Sequence, residues 1–152
     1  MSPRGNVMKR NKWIKVATVV ISLIAIYLAF DIRRGVSHYN RGANHLAEGK
    51  YDEAIACFDE AIKVRSKFPE AHFARGTAYY EKGRYDEAIR DFDRAIELKP
   101  DFSDAYYNRG MIHYYGQQYD KAWDDVNKAQ SLGHYVEPDI LETLRRLAGR
   151  VQ

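Results

Sequence analysis

The sequence predicts an all-α protein: a solenoid of three helix-turn-helix hairpins closed by a capping helix and preceded by one membrane-spanning helix. Three observations carry this expectation. Identities recur every 34 residues, the run from Val16 to Phe30 is apolar and uncharged, and the stretch after Pro138 is amphipathic. A period of this length marks stacked supersecondary units, each unable to bury its apolar face alone.

In chain order the first element is the apolar run. Eighteen helical residues from Trp13 to Phe30 reach about 27 Å at about 1.5 Å per residue, close to the roughly 30 Å hydrocarbon core of a bilayer. Trp13 and Ile14 extend the run if Lys15 snorkels to the interface. A cleaved signal peptide is the competing reading, but small residues two apart are missing at the end of the run: Tyr27 precedes Ala29, and Phe30, Asp31 and Ile32 follow. An uncleaved signal anchor over residues 13–30 is therefore expected, with a basic tail over 1–12 and a short linker over 31–35. A buried core helix is disfavoured because the run is apolar on all faces. Arg4, Lys9, Arg10, Lys12 and Lys15 precede the span, while Arg33, Arg34, Arg41 and Lys50 follow it. The positive-inside rule then keeps the N-terminus cytoplasmic and translocates the repeats, in a bacterium to the periplasm.

Charge is divided in the same way. Residues 1–34 hold seven Lys or Arg against Asp31 alone, whereas the rest of the chain holds 17 basic and 20 acidic residues. A mildly acidic folded part gives phosphate backbones no footprint, which argues against nucleic-acid binding. Cys57 is the only cysteine, so one chain has neither a disulfide nor a thiolate zinc site.

The repeats follow from aligned positions. Arg41, Arg75 and Arg109 align, each followed by Gly42, Gly76 and Gly110; Tyr51, Tyr85 and Tyr119 align, each followed by Asp52, Asp86 and Asp120. Ala54, Ala88 and Ala122, and then Ala61, Ala95 and Ala129, complete the set. Glycine and alanine let paired helices approach. The aspartates are expected as N-caps of the second helices, and Gly49 and Gly83 as left-handed residues ending the first. The third repeat has Gly116 one position early and then Gln117, so its turn is expected to differ slightly. From 138 to 148, Ile140, Leu141, Leu144 and Leu147 form one apolar face, the mark of a capping helix that buries its stripe on repeat three.

This pattern resembles the tetratricopeptide repeat (TPR). The middle repeat is nearest, with His72, Arg75, Gly76, Tyr79, Ala88, Phe92, Ala95 and Pro100 at the family spacing, departing where the family has Trp and Leu. The resemblance covers about residues 35–136, with repeats at about 35–68, 69–102 and 103–136 in a TPR domain over 36–148. It implies a right-handed superhelical solenoid whose first helices line an inner groove. It does not imply one activity, because the fold carries binding sites of many kinds.

Two readings of individual residues complete the picture. His38 and His72 share a repeat position with Tyr106, and His45 and His113 share one with Tyr79, which marks packing sites and not ligands. No phosphate loop, nucleophile elbow or zinc-protease pattern occurs, so a non-enzyme without metal, cofactor or small-molecule substrate is expected. The three arginines stand where the family usually has Leu, and each is expected either to reach a carboxylate on its second helix, with Asp91 and Asp125 as candidates, or to lie solvated over its own repeat.

The inner stripe by spacing comprises Val36, Tyr39, Ala43 and Leu46, then Glu70, Phe73, Thr77 and Tyr80, then Asp104, Tyr107, Met111 and Tyr114. Tyr39, Glu70, Phe73, Tyr80, Asp104, Tyr107, Met111 and Tyr114 are the candidate partner-binding residues, with Phe73 and Tyr107 expected as central anchors that bury little surface in the free protein. An aromatic groove with scattered acids suits a peptide with apolar and basic side chains. Some family members instead grip a chaperone's C-terminal carboxylate with Lys, Asn and Arg. The matching positions here are Tyr39, Ala43, Ala74, Asp104 and Asn108, and Asp104 repels a carboxylate. The resemblance and the span together imply a membrane-anchored adaptor or scaffold that binds a protein or peptide and contacts lipid through 13–30. The alternatives are a cytosol-facing receptor and a structural or assembly subunit of a larger membrane complex.

Overall fold

The computed structural model describes residues 3–149, with side chains from Trp13 onward. Among the described residues seven helices follow one another: α1 Pro3–Ala47, α2 Tyr51–Val64, α3 Pro69–Glu81, α4 Tyr85–Leu98, α5 Ser103–Tyr115, α6 Tyr119–Ser131 and α7 Pro138–Leu147. The C-terminal part of α1 pairs with α2, α3 with α4, and α5 with α6, while α7 packs on α6.

Residues 31–35, expected as a linker, are helical within α1, and so is the basic tail from Pro3 onward. The physical reason is that Asp-Ile-Arg-Arg-Gly contains no strong helix breaker; a single glycine costs about 1 kcal/mol in a helix interior. Gly35 is also buried, and a Cβ there would lie 3.5 Å from Arg65 Cβ and 3.6 Å from Val64 Cγ1. α1 contains a stretch long and apolar enough to cross a membrane, with every side chain from Trp13 to Phe30 exposed.

Within each hairpin the helices run antiparallel, packed through glycine. A Cβ on Gly42 would meet the Phe58 ring at 2.6 Å, one on Gly76 the Phe92 ring at 2.9 Å, and one on Gly110 Val126 Cγ2 at 2.9 Å. Phe58, Phe92, Val126 and the six aligned alanines are all 0% exposed, forming the spine of the core. Ile140, Leu141 and Leu144 of α7 extend this core beyond Val126, whereas Leu147 stays 40% exposed, so the buried stripe is shorter than the sequence face.

The turns correct two expectations. Helices α2, α4 and α6 begin at Tyr51, Tyr85 and Tyr119, with Lys50, Arg84 and Gln118 at the N-cap and no side-chain capping bond. The N–H of each N-cap residue closes back on the preceding helix, onto His45, Tyr79 or His113, so Asp52, Asp86 and Asp120 fall at the second helical position. There they meet the positive helix end without capping it. The third turn keeps the shape of the others: Gly49 and Gly83 have φ of 71° and 72°, and Gln117 adopts 59° in their place, while Gly116 has φ −78°.

Each first helix also packs near its start against the loop that follows its own second helix. The ring of Tyr39 lies 5.2 Å from Phe68, Phe73 lies 4.8 Å from Phe102, and Tyr107 stacks on His134 at 4.4 Å. The loops after α2, α4 and α6 thus share one edge of the solenoid, and the tight turns share the other.

Candidate functional site

The aligned arginines build the junctions between repeats. Arg75 donates from Nε to Asp91 at 2.8 Å and from Nη2 to Asp91 at 2.6 Å, and its Nη1 reaches Asp59 of the preceding repeat at 2.5 Å. Arg109 repeats this with Asp125 at 2.8 and 2.6 Å and with Asp93 at 2.5 Å. The bonds to Asp91 and Asp125 push both guanidinium pKa values further up. Burial opposes the charge on Asp91, but the bonds from Arg75 and then His72 outweigh it and hold the carboxyl below its usual range. Arg41 lacks both kinds of partner, because Cys57 occupies the Asp91 position and no repeat precedes it; its side chain is exposed. The expected arginine-to-carboxylate contact therefore forms in repeats two and three only.

Two of the four aligned histidines, His72 and His113, are buried. His72 is buried between Asp91, at 3.3 Å, and the Ser66 carbonyl, at 3.4 Å. His113 is buried 4.0 Å from Asp125. Among the described residues no three His, Cys, Asp or Glu side chains gather as a metal ion would require.

The inner face is formed by the repeat part of α1, by α3 and α5, and by α7, which stands where a fourth repeat's first helix would. Two clefts open along it. One, of about 270 Å³, lies between α3 and α5 and is lined by Thr77, Tyr80 and Glu81 of α3 and by Tyr107, Asn108, Met111 and Tyr115 of α5. The other, of about 320 Å³, lies between α5 and α7 and is lined by Met111, Tyr114, Tyr115, Ile140 and Thr143, with Asp139 as its charged group. Met111 and Tyr115 border both. The charged residues of the two linings are the carboxylates Glu81 and Asp139, and neither lining includes a Lys or Arg.

The predicted stripe is thus split. Tyr80, Tyr107, Met111 and Tyr114 come together around the clefts. Tyr39 and Phe73 do not reach them, and both are half-buried: Tyr39 packs between Phe58 and Phe68, and Phe73 between Phe92, at 5.6 Å, and Phe102. Phe73 and Tyr107 also border the core clusters, so the expectation that these two bury little in the free protein is corrected. Burial and then the charge of Glu70 raise the Tyr39 pKa. Glu70 lies 3.9 Å from Lys99 and Asp104 2.9 Å from His134, tying first helices to the loop edge. Glu81, Asn108, Tyr115 and the α7 residues escaped the spacing argument. Tyr115 was accessible to it, one helical turn beyond Met111.

A sequence model of the tetratricopeptide repeat matches residues 39–101 and again 73–133, and the chain belongs to this family. Solved TPR domains superpose over most of the chain. The second TPR domain of human RPAP3, in complex with the HSP70 peptide SGPTIEEVD, is 25% identical with a TM-score of 0.69, over 76% of this chain and 98% of that one. The second TPR of Spaghetti (RPAP3), bound to the HSP90 peptide SRMEEVD, is 28% identical with a TM-score of 0.64, over 66% and 94% of the two chains. The TPR domain of Arabidopsis OM64 is 20% identical with a TM-score of 0.68, over 80% and 99%. No curated protein sequence matches the chain.

Proposed function

We propose that this protein is a membrane-anchored TPR adaptor, without catalytic activity, that binds a peptide segment of another protein along its inner face. The observation that carries this reading is the pair of adjoining clefts, walled by tyrosines and Met111 and bearing carboxylates as their charged residues. Structural neighbours holding chaperone peptides support a peptide as the kind of ligand. Their acidic peptides do not suit these linings. Glu81 and Asp139 favour a segment with aromatic or aliphatic anchors and an Arg or Lys beside them. The exposed Trp13–Phe30 stretch of α1, long and apolar enough to cross a membrane, supports the anchor in this reading, and the excess of Lys and Arg before it supports repeats outside the cytoplasm.

The test is peptide selection on the full-length protein in detergent. Selected sequences are expected to combine apolar and basic residues. Met111→Ala is expected to weaken their binding at least tenfold with a near-unchanged melting temperature, and Glu81→Lys with Asp139→Lys to turn selection toward acidic peptides. Recovery of acidic C-termini by the wild type, or indifference to Met111, would refute the reading. A second reading, as a subunit in a larger complex, draws on the cleft along α1 lined by Val36, Asn40 and Arg41, where Arg41 has no carboxylate partner among the described residues.

A further inference from the structure

Five cations gather at the point where α1 leaves its apolar stretch. Arg33 and Arg34 stand on α1 itself, and Lys63, Arg65 and Lys67 are brought beside them by the close approach of Gly35 to Val64 and Arg65. All five are exposed. Their height follows from helix geometry: Gly35 is five residues past Phe30, about 7 to 8 Å along an unbroken helix. The headgroup layer is about 5 to 7 Å thick on each side, and an Arg or Lys side chain spans the remaining gap.

Arg33, Arg34, Arg65 and Lys67 differ in neutralisation from several cations at the tight turns. At the far edge Lys50 is 2.7 Å from Glu48, Arg84 is 2.6 Å from Glu87, and Lys82 pairs with Asp52. At the near edge Arg33, Arg34 and Lys67 have no carboxylate within ion-pair distance among the described residues, Lys63 has Glu60 at 3.6 Å, and Arg65 lies over the Phe68 ring at 4.5 Å. Charge also declines with distance from α1: the next loop holds Lys99 beside Asp101, and the last holds Glu137 with no Lys or Arg. Of the three loops that follow second helices, the one nearest the apolar stretch holds two cations, Arg65 and Lys67, and no carboxylate.

We infer that this cluster binds anionic lipid headgroups, so that the first repeat rests on the bilayer surface as a second point of attachment. The inference depends on the membrane reading of α1. A leaflet carrying anionic lipid attracts each such cation by about 1 kcal/mol, about fivefold in affinity, and the attraction fades beyond about 8 Å at physiological salt. The contact of Gly35 with Arg65 holds Arg33, Arg34 and Arg65 near that range, with Lys63 and Lys67 two residues to either side of Arg65.

The experiment uses the full-length protein reconstituted into vesicles of phosphatidylcholine alone or of phosphatidylcholine mixed with phosphatidylglycerol, with amine labelling read by mass spectrometry. Lys63 and Lys67 are expected to label at least threefold more slowly in the anionic vesicles, the difference vanishing in high salt, while Lys50 and Lys121 label alike in both. Lys67→Glu, at an exposed loop position, is expected to return most of the lost Lys63 reactivity with unchanged helicity. Equal labelling of Lys63 in the two bilayers, in protein that resists alkaline extraction, overturns the lipid contact and leaves the anchor standing. Release by alkali from both bilayers overturns the anchor and the contact with it.

Discussion

Replacing Arg75 with Met tests whether the repeats are held by their charged junctions or by apolar packing alone. Asp91 is 4% exposed and would lose hydrogen bonds of 2.8 and 2.6 Å, keeping only His72 at 3.3 Å. Stranding a buried charge costs about 3 to 5 kcal/mol, and the lost bond to Asp59, itself half exposed, adds at most about 1 kcal/mol. The stem of Met replaces much of the arginine's packing, so the lower end, about 3 kcal/mol, is expected. For a domain of this size that is a fall of about 12 °C in Tm. Arg41→Met, at the unpaired equivalent, is expected to change stability by less than about 0.5 kcal/mol. The double variant Arg75→Met, Asp91→Leu is expected to recover most of the loss, since nothing charged is then left buried. Acid supplies a further check. Asp91 has its pKa lowered by folding, so its contribution is complete above about pH 4 and lost as pH falls through the depressed value. The gap between wild type and Arg75→Met therefore narrows in acid. Thermal unfolding by circular dichroism in detergent measures all four, and equal small shifts for Arg75→Met and Arg41→Met would refute the reasoning.

Gln117→Gly is expected to raise stability by about 0.5 to 1 kcal/mol, because glycine relieves the left-handed strain at φ 59° but adds unfolded-state entropy; a lowered Tm would contradict this. Gly76→Leu is expected to cost about 1 to 3 kcal/mol or more, since its Cβ alone would lie 2.9 Å from the Phe92 ring, and an unchanged denaturation midpoint would deny the register. Phe73→Ala is expected to cost about 2 to 3 kcal/mol of stability, placing it with the core and apart from Met111 in unfolding assays. His113 has its pKa lowered by burial, with Lys121 and Arg109 adding and Asp125 opposing. Its stabilisation is therefore complete above about pH 6.5 and declines as pH falls below it, and His113→Tyr is expected to flatten melting temperatures over that range.

The helical hairpins and their register were legible because glycine, alanine and Phe58 or Phe92 are demanded by close helix contact and recur at one spacing. Helix ends were less legible. The aspartates resemble caps in sequence, yet a turn whose N-cap N–H bonds backward shifts the helix start by one residue. The continuity of α1 was hidden for a similar reason, since a change from apolar to charged residues looks like a boundary although the backbone meets no breaker. In the candidate site, spacing on one helix picked out Met111 and Tyr80 but could not show that Phe73 leans onto Phe102. That contact lies in a loop about 30 residues away and depends on how the hairpins close. Nor did spacing indicate that α7 walls the second cleft.

The unbroken α1 has a consequence for which partners reach the clefts. On the proposed topology there is no hinge between bilayer and repeats, so the inner face is held at a fixed stand-off and does not sweep a hemisphere as on a flexible tether. Ala43, the repeat-register equivalent of Met111, lies thirteen residues past Phe30, about 20 Å along the unbroken helix from the hydrocarbon boundary, which sets the scale of the stand-off. A ligand segment in a second protein of the same membrane must climb that height, which takes about six extended residues at about 3.3 Å each. Shorter juxtamembrane connections cannot reach, and much longer ones dilute the local concentration of the segment. The length of a single helix thus acts as a ruler, selecting partners by where their binding segment lies relative to their own span.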